Sequence, residues 1–329
     1  MKRWLPFAAT AIGLIVALWL LGREGVHAVL SAGARMGWGG FASLVGSGVA
    51  ILIALGAAWQ AAMPPGQAHA LRLFVWARAV REAASDLLPF SQLGGLLFGI
   101  RALTIEGADP ARVHAATIVD LTTEFVAQLA LTLFGLWILG FTLARPGDAE
   151  RLRTAAWWGA GGATLLAIGL IVLQRPLLTL LARIADRMLP AARASIEAVR
   201  IELAAFGARR SAVLAPLGWN LAAWLLSIGS AWLALRLIGA PIAFDRMIAL
   251  ETCIFALRTG AFVVPGALGV QEAGYVLLGP LVGLGGEAAL ALSLAKRARD
   301  LAVALPVLIV WQIMEARRLR RFQRTRHAS

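Results

Sequence analysis

The sequence predicts an all-α polytopic integral membrane protein, and three observations carry that reading. Apolar stretches of about 20 residues recur along the whole chain, each long enough to cross a bilayer. The chain is 60% hydrophobic with a mean hydropathy of +0.77, and only 15% of its 329 residues are charged. A soluble globule carries roughly 25% charged residues and cannot hide this much apolar surface. Basic residues lie between the apolar runs and in the tail, at Arg317, Arg318, Arg320, Arg321, Arg324 and Arg326. That is the positive-inside pattern, which also favours anionic headgroups, so the net charge of +13 calls for a bilayer and not for nucleic acid.

The elements follow in order. Lys2-Arg3 and the apolar run 5–21 resemble a signal peptide, with Ala32-Gly33-Ala34 as a cleavage candidate. Charged Arg23 and Glu24 intervene and more spans follow, so an uncleaved first helix is expected. Further apolar segments cover 38–62, 87–105, 113–142, 154–174, 213–238, 247–264, 266–284 and 288–314. These give about six to eight membrane helices, two of them broken or re-entrant, in a single domain over 1–329. Period-two alternation is absent, which argues against a barrel. The stretch 175–210 sets arginines against Leu177, Leu181, Ile184 and Met188 at helical spacing, the pattern of an amphipathic segment on the cytoplasmic surface. The stretch from Leu71 to Asp86, with Arg72, Arg78, Arg81 and Glu82, looks similar.

An internal repeat organises the chain. Leu93-Gly94 after Pro89 recurs as Leu268-Gly269 after Pro265, 175 residues later, and the flanking spans recur at the same offset. The halves are 38–142 and 213–314, joined by 143–212. With both termini and 175–210 in the cytoplasm, the halves run in opposite directions. Inverted repeats with Gly/Pro-interrupted helices are a pattern of secondary transporters. The loop 145–153 then lies outside despite Arg145, Arg151 and Arg153, a cost partly offset by Asp148 and Glu150.

Four constellations are candidates for chemistry. Pro89 to Gly95, with Gly94 and then Arg101, interrupts an apolar run; it is either a break lining a wet cavity or tight packing through small residues. Pro265, Gly266 and Gly269 precede Glu272 and follow Arg258. An ionisable residue at that depth points to function, although Glu272 at the interface would simply be solvated. Asp120 and Glu124 are four apart on one helix face and require a cation, a proton or water nearby. Lys296-Arg297-Ala-Arg299-Asp300 lies at the matching place in the other half. The simplest pairing sets Arg297 or Arg299 against Asp120 or Glu124, as a transport site or as structural ion pairs. Asp120, Glu124, Glu272, Arg258, Arg297 and Asp300 are expected to meet in one polar cavity. His27, His69, His114 and His327 show no zinc spacing, Cys253 is alone, and no P-loop is present, so no metal or cofactor is expected.

The combination Pro89, Leu93-Gly94-Gly95, Arg101, Asp120, Glu124, Pro265-Gly266, Leu268-Gly269, Glu272 and Arg297 resembles the flippase-like transmembrane family, which includes the membrane half of lysylphosphatidylglycerol synthases. The run from Arg81 to Gly95 is similar to its hopanoid-biosynthesis-associated subgroup. The resemblance implies a bacterial cytoplasmic membrane protein that flips or delivers an amphiphilic lipid, in the subgroup a hopanoid or a polar hopanoid precursor. It does not imply lysyl transfer, because the chain stops about 15 residues beyond its last span (329 − 314). The leading expectation is therefore a lipid transporter with a lipid as its partner. The rival is a membrane enzyme or an assembly partner of lipid-biosynthesis enzymes, with Asp120 and Glu124 as acid and base. Against an enzyme, neither an adjacent aspartate pair for a diphosphate nor a serine-histidine-aspartate cluster is apparent.

Overall fold

A computed structural model describes residues 26–64, 69–87, 91–143, 154, 201, 213–261 and 264–327. The apolar runs 5–21 and 154–174, the amphipathic stretch 175–210, the loop 145–153 and Pro89 lie outside the described residues.

Among the described residues the chain is all helical, and the helix lengths fall into a pattern that occurs twice. The first half has α1 (Val26–Ala61), α2 (Leu71–Leu87), α3 (Ser91–Thr104) and α4 (Pro110–Leu143). The second has α5 (Leu214–Ile238), α6 (Phe244–Gly260), α7 (Val270–Leu278) and α8 (Gly286–His327), with short 3-10 turns at Pro265–Ala267 and Gly279–Val282. Each half is thus long, short, short, long. At 1.5 Å per residue, 14-residue α3 reaches about 21 Å and nine-residue α7 about 14 Å. Both fall short of the roughly 30 Å hydrocarbon layer. Segments Gly33–Ala61, Pro110–Phe141 and Leu214–Ile238 are long and apolar enough to cross it. In lipid every backbone group must be satisfied internally, so runs rich in Leu, Ile, Ala and Gly become helices.

The boundaries follow local chemistry. Asp109 precedes Pro110 and accepts the Arg112 amide at 3.0 Å, a cap followed by proline at the first helical position. Gly239 (φ 84°) closes α5, with the Ala240 amide donating to Leu235 O at 3.0 Å.

Packing shows how the halves meet. Long helices α1 and α5 lie antiparallel. Arg35 Nε donates to Ile238 O, Ser47 bonds Ser230, and Leu55 clusters with Ala223, so numbers rise on one helix as they fall on the other. Each short pair is an antiparallel hairpin. Gly95 of α3 fits against Ser85 and Arg81 of α2, and Gly274 of α7 against Ile254 and Leu257 of α6. The long helices exchange partners: α4 packs on α6 through Gln128 and Thr132, and α8 on α2 through Ala304 and Leu308 around Ala83. Two apolar cores result. One is built on Trp59, Phe74, Val80 and Leu103 and receives Trp311 from α8. The other is built on Leu235, Leu250, Ile254 and Tyr275 and receives Ile138 from α4. Phe134, Trp137 and Phe141 of α4 and Leu305 and Ile309 of α8 are exposed, as lipid-facing side chains should be.

Two expectations are corrected here. The stretch 71–86 is no surface helix: α2 buries Arg78 and Arg81 together with Ala77, Ala83 and Ala84. The break expected over Pro89–Gly95 does not extend to its glycines: one helix ends at Leu87 and the next begins at Ser91, so Gly94 and Gly95 lie inside α3, where Gly95 permits close approach to α2.

Candidate functional site

Between the two halves lies a cavity of about 410 Å³. Helices α1, α2, α4, α5, α6 and α8 and the break before α7 contribute to its wall. It is lined by Glu82 and Asp86 of α2, Glu124 and Gln128 of α4, and Trp224 and Ser227 of α5. Arg258 of α6, Gly266 of the break, and Lys296, Arg299 and Asp300 of α8 complete the polar part. Apolar Ile51, Leu55, Phe125 and Phe255 line the remainder.

Three clusters of charge surround this space. The first belongs to α2 and α4. Arg78 donates to Asp120 at 3.1 Å and to Glu124 at 2.6 Å, and its Nε lies 2.8 Å from Glu82. Arg81 reaches the same two carboxylates at 3.2 Å each. Asn220 of α5 donates to Asp120 Oδ1 at 3.3 Å and to Thr123 at 3.1 Å. Asp120 therefore has two arginines and an amide around it, which is what a fully buried carboxylate needs.

The second cluster ties the break to its surroundings. Gly266 (φ 56°) and Gly269 (φ 77°) adopt conformations that favour glycine. Glu272 accepts the Gly269 amide at 2.7 Å, holding the start of α7. Its other oxygen faces Arg297 at 2.9 Å, and Arg297 also donates to Gly266 O at 2.7 Å. A Cβ on Gly266 would lie 3.2 Å from Asp86 O, so the break touches the end of α2, next to the tip of the first hairpin. Arg258 joins both hairpins, 3.6 Å from Asp86 and 3.0 Å from Gln271. Arg299 pairs with Asp300 at 2.7 Å and donates to Ser230 at 2.9 Å.

The third cluster reaches the cavity wall through Lys296 and is otherwise buried behind it. Lys296 Nζ donates to Glu251 at 2.5 Å and to the Tyr275 hydroxyl at 2.6 Å, while that hydroxyl donates to Glu251. All three residues are at most 2% exposed.

A family model for the lysylphosphatidylglycerol synthase transmembrane region matches residues 7–307. The chain belongs to this family. No curated protein and no solved structure matches it. Membership indicates a membrane protein with a lipid-related function.

Within this family member, the expected site residues fall into three groups. Glu124, Arg258, Gly266 and Asp300 line the cavity. Asp120, Glu272, Arg297 and Gly269 stand behind that wall, bonded to residues that line it or to the break. The turn that begins at Pro265 carries Gly266. Arg101 is elsewhere: it is exposed and pairs with Glu315 at 2.9 Å. The expected pairing of Arg297 or Arg299 with Asp120 or Glu124 is corrected. Arg297 is taken by Glu272 and Arg299 by Asp300, and the partners of Asp120 and Glu124 are Arg78 and Arg81. Those two arginines, with Glu251, Tyr275 and Asn220, are the residues sequence reasoning missed. Glu251 carried the same signal as Glu272, a carboxylate in an apolar run.

Proposed function

We propose that this protein moves, or hands over, the polar headgroup of an amphiphilic lipid between the leaflets of a bacterial cytoplasmic membrane. The observation that carries the reading is the polarity of the cavity wall. Its carboxylates Glu82, Asp86, Glu124 and Asp300 are 17–32% exposed, whereas Arg78, Arg81, Lys296 and Arg299, which line the same space, are only 1–7% exposed. Arg258, at 29%, is the most exposed of the cations in this wall. Such a wall favours a headgroup bearing ammonium or hydroxyl donors, with Arg258 for a phosphate or carbonyl oxygen. The purely anionic headgroup that free arginines would attract fits less well, because Arg297 is already occupied by Glu272 and Gly266. The lipid tail stays in the bilayer.

The two hairpins are the moving parts in this reading. They enter as re-entrant pairs from opposite faces, their tips approaching at Asp86 and Gly266, and the halves form an inverted repeat. The antiparallel packing of α1 on α5 supports it, as does the exchange of partners by α4 and α8. Both termini then face the cytoplasm, where the arginines after Glu315 meet anionic headgroups. A transporter is favoured over an enzyme because each of Asp120 and Glu124 is held by two arginines, which leaves neither free to act as acid or base. A hopanoid bearing amine or hydroxyl groups is one substrate of the required chemistry, and enzymes that make such lipids are the partners expected to supply it.

The test is lipid movement in proteoliposomes with matched tails and aminoacylated, zwitterionic, polyhydroxylated or anionic headgroups. Faster transfer of the amine- and hydroxyl-bearing lipids than of the anionic one is expected, with loss in Arg258→Gln. Equal rates for all headgroups, matching protein-free vesicles, would refute the proposal.

A further inference from the structure

The buried ion pair of the first half has a counterpart in the second half with its signs exchanged. Arg78 and Glu251 are each the eighth residue of their helices, α2 and α6. Asp120 and Lys296 are each the eleventh residue of α4 and α8. Helix order and packing partners correspond between the halves. Arg78–Asp120 at 3.1 Å therefore occupies the place that Glu251–Lys296 occupies at 2.5 Å. The scaffold accepts a pair of either polarity at this position.

The exchange alters proton chemistry. A guanidinium does not give up its proton in a protein, so the first pair has a fixed cation. The second cluster consists of a carboxylate, an ammonium and a phenol, each able to gain or lose a proton. Its members come from α6, α7 and α8, so one small network binds both arms of the second hairpin to a long helix. Lys296 lines the cavity, and Asp300 follows one turn along the same helix face. The flexible glycines Gly266 and Gly269 lie directly before α7, the arm that carries Tyr275.

We propose that Glu251, Tyr275 and Lys296 form a proton-binding site, filled from the cavity, whose occupancy sets how firmly the α6–α7 hairpin is held to α8. The site lies beside the proposed headgroup cavity and would supply that reading with a coupling ion. In the filling step, a hydronium ion in the cavity gives its proton to the Glu251 carboxylate. Water is left behind, and the ionic pair becomes a carboxylic acid beside an ammonium. The attraction across α6 and α8 weakens, Tyr275 loses its charged acceptor, and the hairpin turns about Gly266 and Gly269. Returning the proton to water restores the pair. The charged groups around the site are Arg258 on α6, Arg299 and Asp300 on α8, and Glu272 on α7 with its partner Arg297. Helix α4 faces α6 with the uncharged Gln128 and Thr132.

Spin labels test this in the full-length protein in vesicles. With Cys253→Ser as background, labels at Leu277→Cys on α7 and Leu305→Cys on α8 occupy exposed positions. Their separation is measured from about pH 5 to pH 9. Two populations are expected, their ratio changing about tenfold per pH unit near the midpoint, as binding of one proton requires. Glu251→Gln should stay in the low-pH population throughout. Tyr275→Phe, a milder change, should move the midpoint up by about one pH unit, because the carboxylate loses a donor. A distance distribution independent of pH in the unmodified triad would overturn the proposal. So would a Glu251→Gln or Tyr275→Phe protein that titrates with the original midpoint. The labels report helix position whether or not any lipid moves, so failure of the transport assay leaves this result standing.

Discussion

Around Arg78 the first half gathers three carboxylates, Asp120, Glu124 and Glu82, and backs them with a second arginine, Arg81. Around Glu251 the second half gathers one lysine and one tyrosine as hydrogen-bond partners. Both sites are buried at equivalent places between a hairpin arm and a long helix. The first is redundant, since each acid has two cationic partners. The second depends on one proton-bearing contact of each kind. Burying charge costs several kcal/mol per ion unless partners are well placed, so redundancy fixes a structure and sparseness leaves it adjustable. On this comparison the α2–α4 network is the fixed frame and the α6–α7–α8 network is the part that responds.

The largest effect should come from breaking the frame. Arg78→Met leaves Asp120, Glu124 and Glu82 to Arg81 alone. It should cost about 3–5 kcal/mol, read as a fall in thermal unfolding temperature in detergent. Glu251→Gln keeps an acceptor for Lys296 and should cost less, about 1–3 kcal/mol. Equal losses in the two variants would remove the distinction between frame and switch. Gly266→Ala comes next. Its new Cβ would meet Arg297 Nη1 at 2.9 Å at a φ of +56°, for a cost of about 1–3 kcal/mol. Gly229→Ala inside α5 meets nothing within 4 Å and should be neutral or slightly stabilising in the same measurement. The smallest effect belongs to the exposed pair Arg101–Glu315, where Arg101→Ala should cost less than about 1 kcal/mol, and less still in high salt.

The membrane architecture was legible because long apolar runs have one solution in lipid: α1, α4 and α5 follow from composition alone. The break at Gly266 and Gly269 was legible too, since proline and glycine within an apolar run have few other uses. The polar half of the site was harder. Arg78 and Glu82 four apart on an amphipathic stretch look like a solvated face, and periodicity cannot say which side meets water. The alanines around them, Ala77, Ala79, Ala83 and Ala84, held the missing signal, because a surface helix has no need of so many small side chains for close packing. Pairings were illegible for another reason. Asp120 and Glu124 require cations, but the sequence offers several arginines and a lysine, and only the fold assigns Arg78 and Arg81 to them. Sequence placed Gly95 at a break; in the fold it is a contact surface, as the competing reading of that motif allowed.

The central claim is that a lipid headgroup passes through the space between the two networks, and filling that space tests it most directly. Ser227 lines the cavity from α5 and lies outside every ion pair described above. Ser227→Trp should occupy much of the 410 Å³ while leaving both charge networks in place. The account predicts an unfolding temperature close to that of the unmodified protein, together with at least a tenfold loss of headgroup transfer in proteoliposomes. A folded Ser227→Trp protein that moves the same lipid at the original rate would contradict it.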